Sequence, residues 1–110
     1  MIDVSKQDAL LVLKKWRESS ALLRIMLRKS NGILDAIGVL GGSDEELELG
    51  DASTWLFSTS IEGATFKFGT SKEAPPAIRA ASLEKYESLL EVTFATEERL
   101  ALIEIKESPQ

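Results

Sequence analysis

The hydrophobic pattern is densest over residues 21–40, where two strand-like apolar runs meet at Asn31 and Gly32. That dipeptide between two such runs predicts a β-hairpin, because a type I′ turn needs positive φ at both central positions. One face of the hairpin is then almost wholly apolar and is expected to face the core. Gly38 lies within this core face, where the lack of a side chain often marks a bend, a bulge or a close backbone approach.

The opposite face of the hairpin is also apolar at several positions, although a half-buried strand normally has one polar face. The predicted turn places Arg28 opposite Asp35, which is a favourable cross-strand pair. An apolar strip rimmed by charge is typical of a protein interface, and two-fold dimers are the commonest assembly. Alternatively, the helices cover this strip within the monomer. The sequence therefore predicts a candidate homodimer interface formed by Leu22, Arg24, Met26, Arg28, Asp35, Ile37 and Val39.

Residues 5–19 carry the periodicity of an amphipathic helix. Ser5 followed by Asp8 is typical of a capped helix start, since the serine oxygen satisfies a free backbone N–H. Leu11 is the exception, because it falls among the polar residues. The apolar stripe is expected to pack on a sheet, and it is formed by Ala9, Val12, Leu13 and Trp16.

Residues 54–70 show the cleanest alternation of apolar and polar positions, which predicts a second hairpin with its turn at Glu62 and Gly63. Its apolar face is expected to be core. The same face also allows an alternative, a cavity for a small apolar ligand. That candidate cavity would be lined by Trp55, Phe57, Phe66 and Phe68.

The remaining chain predicts a turn over 41–46, then a short edge strand that directs Leu47 and Leu49 inward. A second helix is predicted over 77–87, after two adjacent prolines. A C-terminal hairpin is predicted to pair 88–94 with 99–106. The alternative is that the second helix continues to residue 90.

Composition excludes several kinds of chemistry. The 110-residue chain contains no cysteine and no histidine, which removes thiolate metal sites, disulfides and the commonest general base. Its net charge of −5 disfavours binding to a phosphate backbone, so no nucleic-acid partner is expected. No cofactor, metal or catalytic residue is predicted, and an enzyme using paired carboxylates is the less favoured alternative.

The chain shows no basic segment leading into an apolar signal, and no run reaches the roughly 18 apolar residues of a membrane span. A cytoplasmic location and no membrane partner are therefore expected. Residues 5–70 are predicted to form a helix followed by a strand meander, with a glycine in the second strand. This order of elements resembles that of Sm-like proteins. The RNA-binding signatures of that family are absent.

Together these patterns predict a single α+β domain over residues 1–110. An N-terminal helix would pack on a strongly bent antiparallel β-sheet or partial barrel of six or seven strands, with a second short helix before a C-terminal hairpin. The expected function is a non-catalytic binding or assembly module that acts through an apolar sheet surface.

Overall fold

The computed structural model describes residues 2–50, 55–70 and 86–105 of the chain. These residues form one helix and eight strands that belong to one antiparallel sheet, in the order β1-β6-β7-β8-β2-β3-β4-β5. The elements are β1 (Ile2–Val4), α1 (Lys6–Ser19), β2 (Leu23–Lys29), β3 (Gly32–Ser43), β4 (Glu46–Gly50), β5 (Trp55–Ser60), β6 (Thr65–Thr70), β7 (Tyr86–Thr93) and β8 (Arg99–Ile105).

Helix α1 confirms the predicted N-terminal helix and its cap. The Ser5 hydroxyl oxygen accepts a hydrogen bond from the Asp8 backbone N–H at 3.1 Å, which satisfies one free donor of the first turn. At the other end, Ser20 adopts a left-handed conformation with φ of 50° and ends the helix. The buried stripe consists of Ala9, Leu13 and Trp16, whereas Leu11 is 65% exposed, as its position among polar residues predicts.

The first hairpin forms, but its register differs from the predicted one by two residues. Lys29 lies opposite Gly32 and Arg28 opposite Ile33, so the turn consists of Ser30 and Asn31. Asn31 does not have positive φ, so the predicted type I′ turn at Asn31 and Gly32 is wrong. A shift of two residues leaves every side chain on its predicted face, because the side-chain period of a strand is two.

Strand β3 changes its partner at a buried glycine. Its first part pairs with β2 and ends at the Leu23–Gly38 pair, and from Val39 onwards it pairs with β4. Leu47 and Leu49 of β4 are both fully buried, which confirms their predicted inward direction. The predicted edge position of β4 is wrong, because β4 pairs with both β3 and β5.

Strands β5 and β6 do not pair with each other, so the predicted hairpin over 54–70 is wrong. Strand β5 pairs with β4, whereas β6 pairs with β1 and β7 at the other end of the sheet. The link from Ser60 to Thr65 spans at most about 18 Å even when fully extended. In a flat sheet the two strands would lie about 29 Å apart, since neighbouring strands are about 4.8 Å apart. The sheet therefore curls until its two ends are close, and among the described strands the end strands β1 and β5 do not pair with each other.

The C-terminal hairpin of β7 and β8 confirms the predicted pairing of 88–94 with 99–106. Because β7 begins at Tyr86, the alternative of a helix reaching residue 90 is wrong. The predicted second helix over 77–87 falls mostly on residues 71–85, which lie outside the described part of the chain. Within the described part the α+β class is confirmed, with eight strands rather than six or seven.

One main core lies between α1 and the sheet. It includes Trp16 from α1, Ile25 from β2 and Phe66 from β6. Arg17 joins the helix to the β3–β4 turn, because its Nε donates to the Gly41 carbonyl and its Nη2 donates to the Glu46 carbonyl, both at 3.0 Å. Burial lowers the pKa of Arg17, and the neighbouring Asp44 carboxylate raises it. The position of α1 is thus tied to the turn that follows β3.

Candidate interaction surface

The side of β2 and β3 that faces away from α1 carries most of the residues predicted as an interface. We call this surface the outer face. Alternation places Leu23, Ile25 and Leu27 in the core, so the intervening side chains of β2 point outward. The outer face consists of Arg24, Met26, Arg28, Ile33, Asp35, Ile37 and Val39.

An ion pair spans the middle of the outer face. Arg24 Nη2 donates to Asp35 Oδ2 at 2.7 Å, and Arg24 Nε donates to Asp35 Oδ1 at 3.1 Å. These parallel hydrogen bonds lower the pKa of the Asp35 carboxyl, partial desolvation opposes that change, and the Arg24 charge adds to it. The predicted partner of Asp35 was Arg28, and the two-residue register shift gives it Arg24 instead. The carboxylate therefore stays ionised to lower pH than a free aspartate.

Part of the outer face is already covered within the monomer. Leu89 of β7 and Ile103 of β8 are on the same side of the sheet and are 2% and 1% exposed. Half-buried Met26 packs against them. Leu22 precedes β2 and is also half-buried, and its carbonyl accepts a hydrogen bond from the Ile105 N–H at 2.9 Å. Met26 thus contributes to the protein's own packing, and the backbone of Leu22 is bound to the end of β8.

The exposed part of the outer face lies on β3. Ile33 is 61% exposed, Ile37 is 55% exposed and Val39 is 37% exposed. Ile33 was absent from the predicted interface, because the predicted turn placed it beside the loop. The observed register makes it a strand residue opposite Arg28. A patch of large apolar side chains on one strand is the feature that marks contact surfaces in folded proteins.

The same part of β3 also has a free edge. Residues 32–38 pair with β2 on one side, and within the described ranges the pairing of β4 with β3 begins at Val39. Among the described residues, no strand pairs with the other edge of this segment. An exposed edge can accept a further strand, because its backbone N–H and C=O groups have no partner. We call residues 32–38 the free edge.

A shallow cavity of about 240 Å³ adjoins the outer face. Its apolar floor consists of Met26, Ile33 and Ala101. The charged side chains of Arg28, Glu91 and Arg99 complete its lining. The cavity therefore combines apolar surface with two cations and one anion.

The predicted ligand cavity involves residues with different environments. Phe66 is 4% exposed and belongs to the main core, and Phe68 is half-buried against it. The side chains of Trp55 and Phe57 lie outside the described part of the structure. Because β5 and β6 are at opposite ends of the sheet order, no hairpin joins these four aromatic residues. The aromatic ligand cavity stays a prediction.

Within the described ranges, no group of three or more Asp or Glu side chains is placed to hold a metal ion. No helix among the described residues is long and apolar enough to cross a membrane. Comparison with protein-family models, with curated proteins and with solved structures gives no match to this chain.

Proposed function

We propose that this protein is a non-catalytic assembly module that binds a second copy of itself through the free edge and the exposed outer face of β3. The observation that carries the proposal is the combination of an unpaired strand edge with exposed apolar side chains at residues 32–38. Natural proteins usually protect such edges with lysine, proline or very short strands. Strand β1, at one end of the sheet, has only three residues and contains Asp3, whereas the free edge is longer and Asp35 is its single charged residue.

Full overlap of the free edges of two copies is possible in one antiparallel register, and that register has two-fold symmetry. Antiparallel pairing of residues 32–38 with the same segment of a second copy is centred on Asp35. Ile33 of each copy then lies opposite Ile37 of the other copy, and Leu34 lies opposite Ala36. Apolar cross-strand pairs of this kind stabilise a sheet, and the whole edge becomes hydrogen-bonded. The pairing is isologous, as expected for a two-fold dimer.

The charge at the centre of this pairing is balanced. The two Asp35 carboxylates face each other across the two-fold axis, and like charges directly opposite each other are destabilising. Each carboxylate is held by Arg24 of its own chain in a bidentate ion pair. The four charges sum to zero, so the Asp35 pair does not prevent association.

The double variant Ile33→Lys, Ile37→Lys tests this proposal. Both side chains are more than half exposed, so their replacement leaves the monomer folded. Four lysines would then face each other across the paired edges, and we expect the dimer to dissociate. Sedimentation velocity over a concentration series measures the state of association, and far-UV circular dichroism checks the fold. Met26 is unsuitable for this purpose, because it packs against Leu89 and Ile103.

A matched control is the double variant Ile2→Lys, Leu11→Lys. Its positions are 61% and 65% exposed and lie outside β3, so it adds the same charge and removes similar apolar surface. We expect this control to remain dimeric. A wild-type protein that sediments as a monomer at every concentration would refute the proposal, as would equal dissociation of both double variants.

A further inference from the structure

Two arginines face each other on the side of the sheet opposite α1. Arg28 of β2 and Arg99 of β8 are register partners, and both side chains are exposed. Like charges directly opposite each other on neighbouring strands are destabilising. Neither guanidinium makes an ion pair or hydrogen bond with any residue in the described part of the chain. This arrangement is unfavourable for folding, and no carboxylate of the described residues forms an ion pair with either arginine.

Two carboxylates on the same side of the sheet have cationic register partners or ion-pair partners of their own. Asp35 is bound by Arg24. Glu91 is the register partner of Lys67 on β6, an opposed pair of unlike charge. Glu91 is the one carboxylate in the lining of the cavity that holds both arginines, so the two cations there exceed the anion by one charge. Proteins that break a rule of local stability commonly do so at functional sites.

Both arginines line the cavity of about 240 Å³, whose floor is apolar. We propose that this cavity binds a small amphipathic carboxylate. Its carboxylate would lie between the guanidinium groups of Arg28 and Arg99, and its apolar body would contact Met26, Ile33 and Ala101. Paired guanidinium groups suit a carboxylate because each offers a planar fork of N–H donors. The carboxylate would also remove the repulsion between the two cations.

A small molecule fits this site better than a peptide strand. Arg28 and Arg99 lie on β2 and β8, and each of these strands is already paired on both sides. A further strand therefore has no free backbone groups to bind there. The site also differs from the proposed dimer contact, because Ile33 is the one residue that they share.

Octanoate is a suitable probe, with acetate and 1-octanol as partial probes. Acetate carries the charge without the apolar body, and 1-octanol carries a similar body without the charge. We expect saturable changes in the ¹H–¹⁵N NMR signals of Arg28, Arg99 and Ala101 with octanoate. Each partial probe is expected to bind at least about tenfold more weakly, because charge-assisted hydrogen bonds and apolar burial both contribute to affinity.

Arg28→Gln and Arg99→Gln test the role of the two cations. Each variant is expected to weaken octanoate binding about tenfold or more, and neither should lower the Tm of the free protein, because each removes a repulsion. Lys29→Gln is the matched control, since it removes an exposed cation that neighbours Arg28 and does not line this cavity. We expect it to bind octanoate as the wild type does.

Three results would overturn the proposal. The first is the absence of saturable shifts with octanoate. The second is equal binding of 1-octanol and octanoate. The third is a lower Tm in both arginine variants, which would assign the pair a structural role. Sedimentation velocity of each arginine variant, at the protein concentration used for binding and thermal unfolding, shows whether its state of association has changed. A variant that loses octanoate binding without a change in association separates this site from the proposed dimer.

Discussion

Gly42→Ala is expected to lower the Tm by about 10 °C or more, because two separate effects destabilise the folded state at this position. Gly42 has φ of +82°, a left-handed conformation that costs a non-glycine residue about 1–3 kcal/mol. An added Cβ would also clash with the Glu46 carbonyl oxygen. That atom belongs to the backbone of β4, so the β3–β4 turn would have to shift. Thermal unfolding followed by circular dichroism measures the effect.

Two other glycines provide controls with smaller expected effects. Gly41→Ala should change the Tm little, because its added Cβ would make ordinary contacts at 3.6 Å with Glu48. Gly63→Val should lie between the two, since Gly63 has φ of +75° but an added Cβ would meet only the Ala95 Cβ, at 3.9 Å. Equal Tm values for Gly41→Ala and Gly42→Ala would contradict the described conformation of this turn.

Trp16→Ala is expected to destabilise the protein by about 3–5 kcal/mol, the usual cost of removing a buried aromatic side chain. Trp16 is 2% exposed and belongs to the main core beneath the sheet. A loss of that size is a large part of the about 5–15 kcal/mol that stabilises a typical domain. Urea unfolding followed by circular dichroism is the appropriate measurement, because the variant also removes one of the two tryptophans.

Leu11→Ala on the same helix is the matched control for this second prediction. Leu11 is 65% exposed, and exposed substitutions usually change stability by less than about 0.5 kcal/mol. The difference in the free energy of unfolding between the two variants therefore measures the effect of burial rather than that of helix propensity. Similar losses in both variants would show that α1 does not pack on the sheet through the stripe that contains Trp16.

The strands and the faces of the sheet could largely be predicted from the sequence, because apolar and polar residues alternate with the period of a strand. The register of β2 and β3 could not, since a shift of two residues preserves both faces. The strands that pair with β5 and β6 could not be predicted either. Alternation along Phe66 and Phe68 indicates which face of the strand is buried, but it does not indicate which strand lies next to it. Strand β1 was missed, because its three residues are too few to show a period.

The position of the candidate surface could be predicted from the sequence, but the residues that form it could not all be predicted. The apolar residues on both faces of β2 and β3 indicated where the candidate surface lies, and its role stays a prediction. Leu89 and Ile103 cover Met26 from distant parts of the chain, and no local pattern could indicate this cover. Ile33 was absent from the predicted interface because the predicted turn placed it directly after the loop. The opposed pair of Arg28 and Arg99 depends on the pairing of β2 with β8, which hydrophobic periodicity does not determine.

Disulfide mapping with introduced cysteines tests the central proposal, two-fold pairing of the β3 edges, most directly. The chain contains no cysteine, so each single variant has a unique thiol. In the proposed register Asp35 lies opposite itself, at the separation of a cross-strand pair. Asp35→Cys should therefore form a disulfide-linked dimer rapidly under mild oxidation. Ile33→Cys and Ile37→Cys should each link poorly alone and form a mixed dimer when combined.

Leu11→Cys serves as the control for random collisions between exposed thiols, because α1 takes no part in the proposed contact. We expect much faster linkage for Asp35→Cys, and for the mixture of Ile33→Cys with Ile37→Cys, than for Leu11→Cys. Non-reducing gel electrophoresis with mass spectrometry measures each product. Linkage of the β3 variants at the rate of the Leu11→Cys control would contradict pairing of β3 with a second copy.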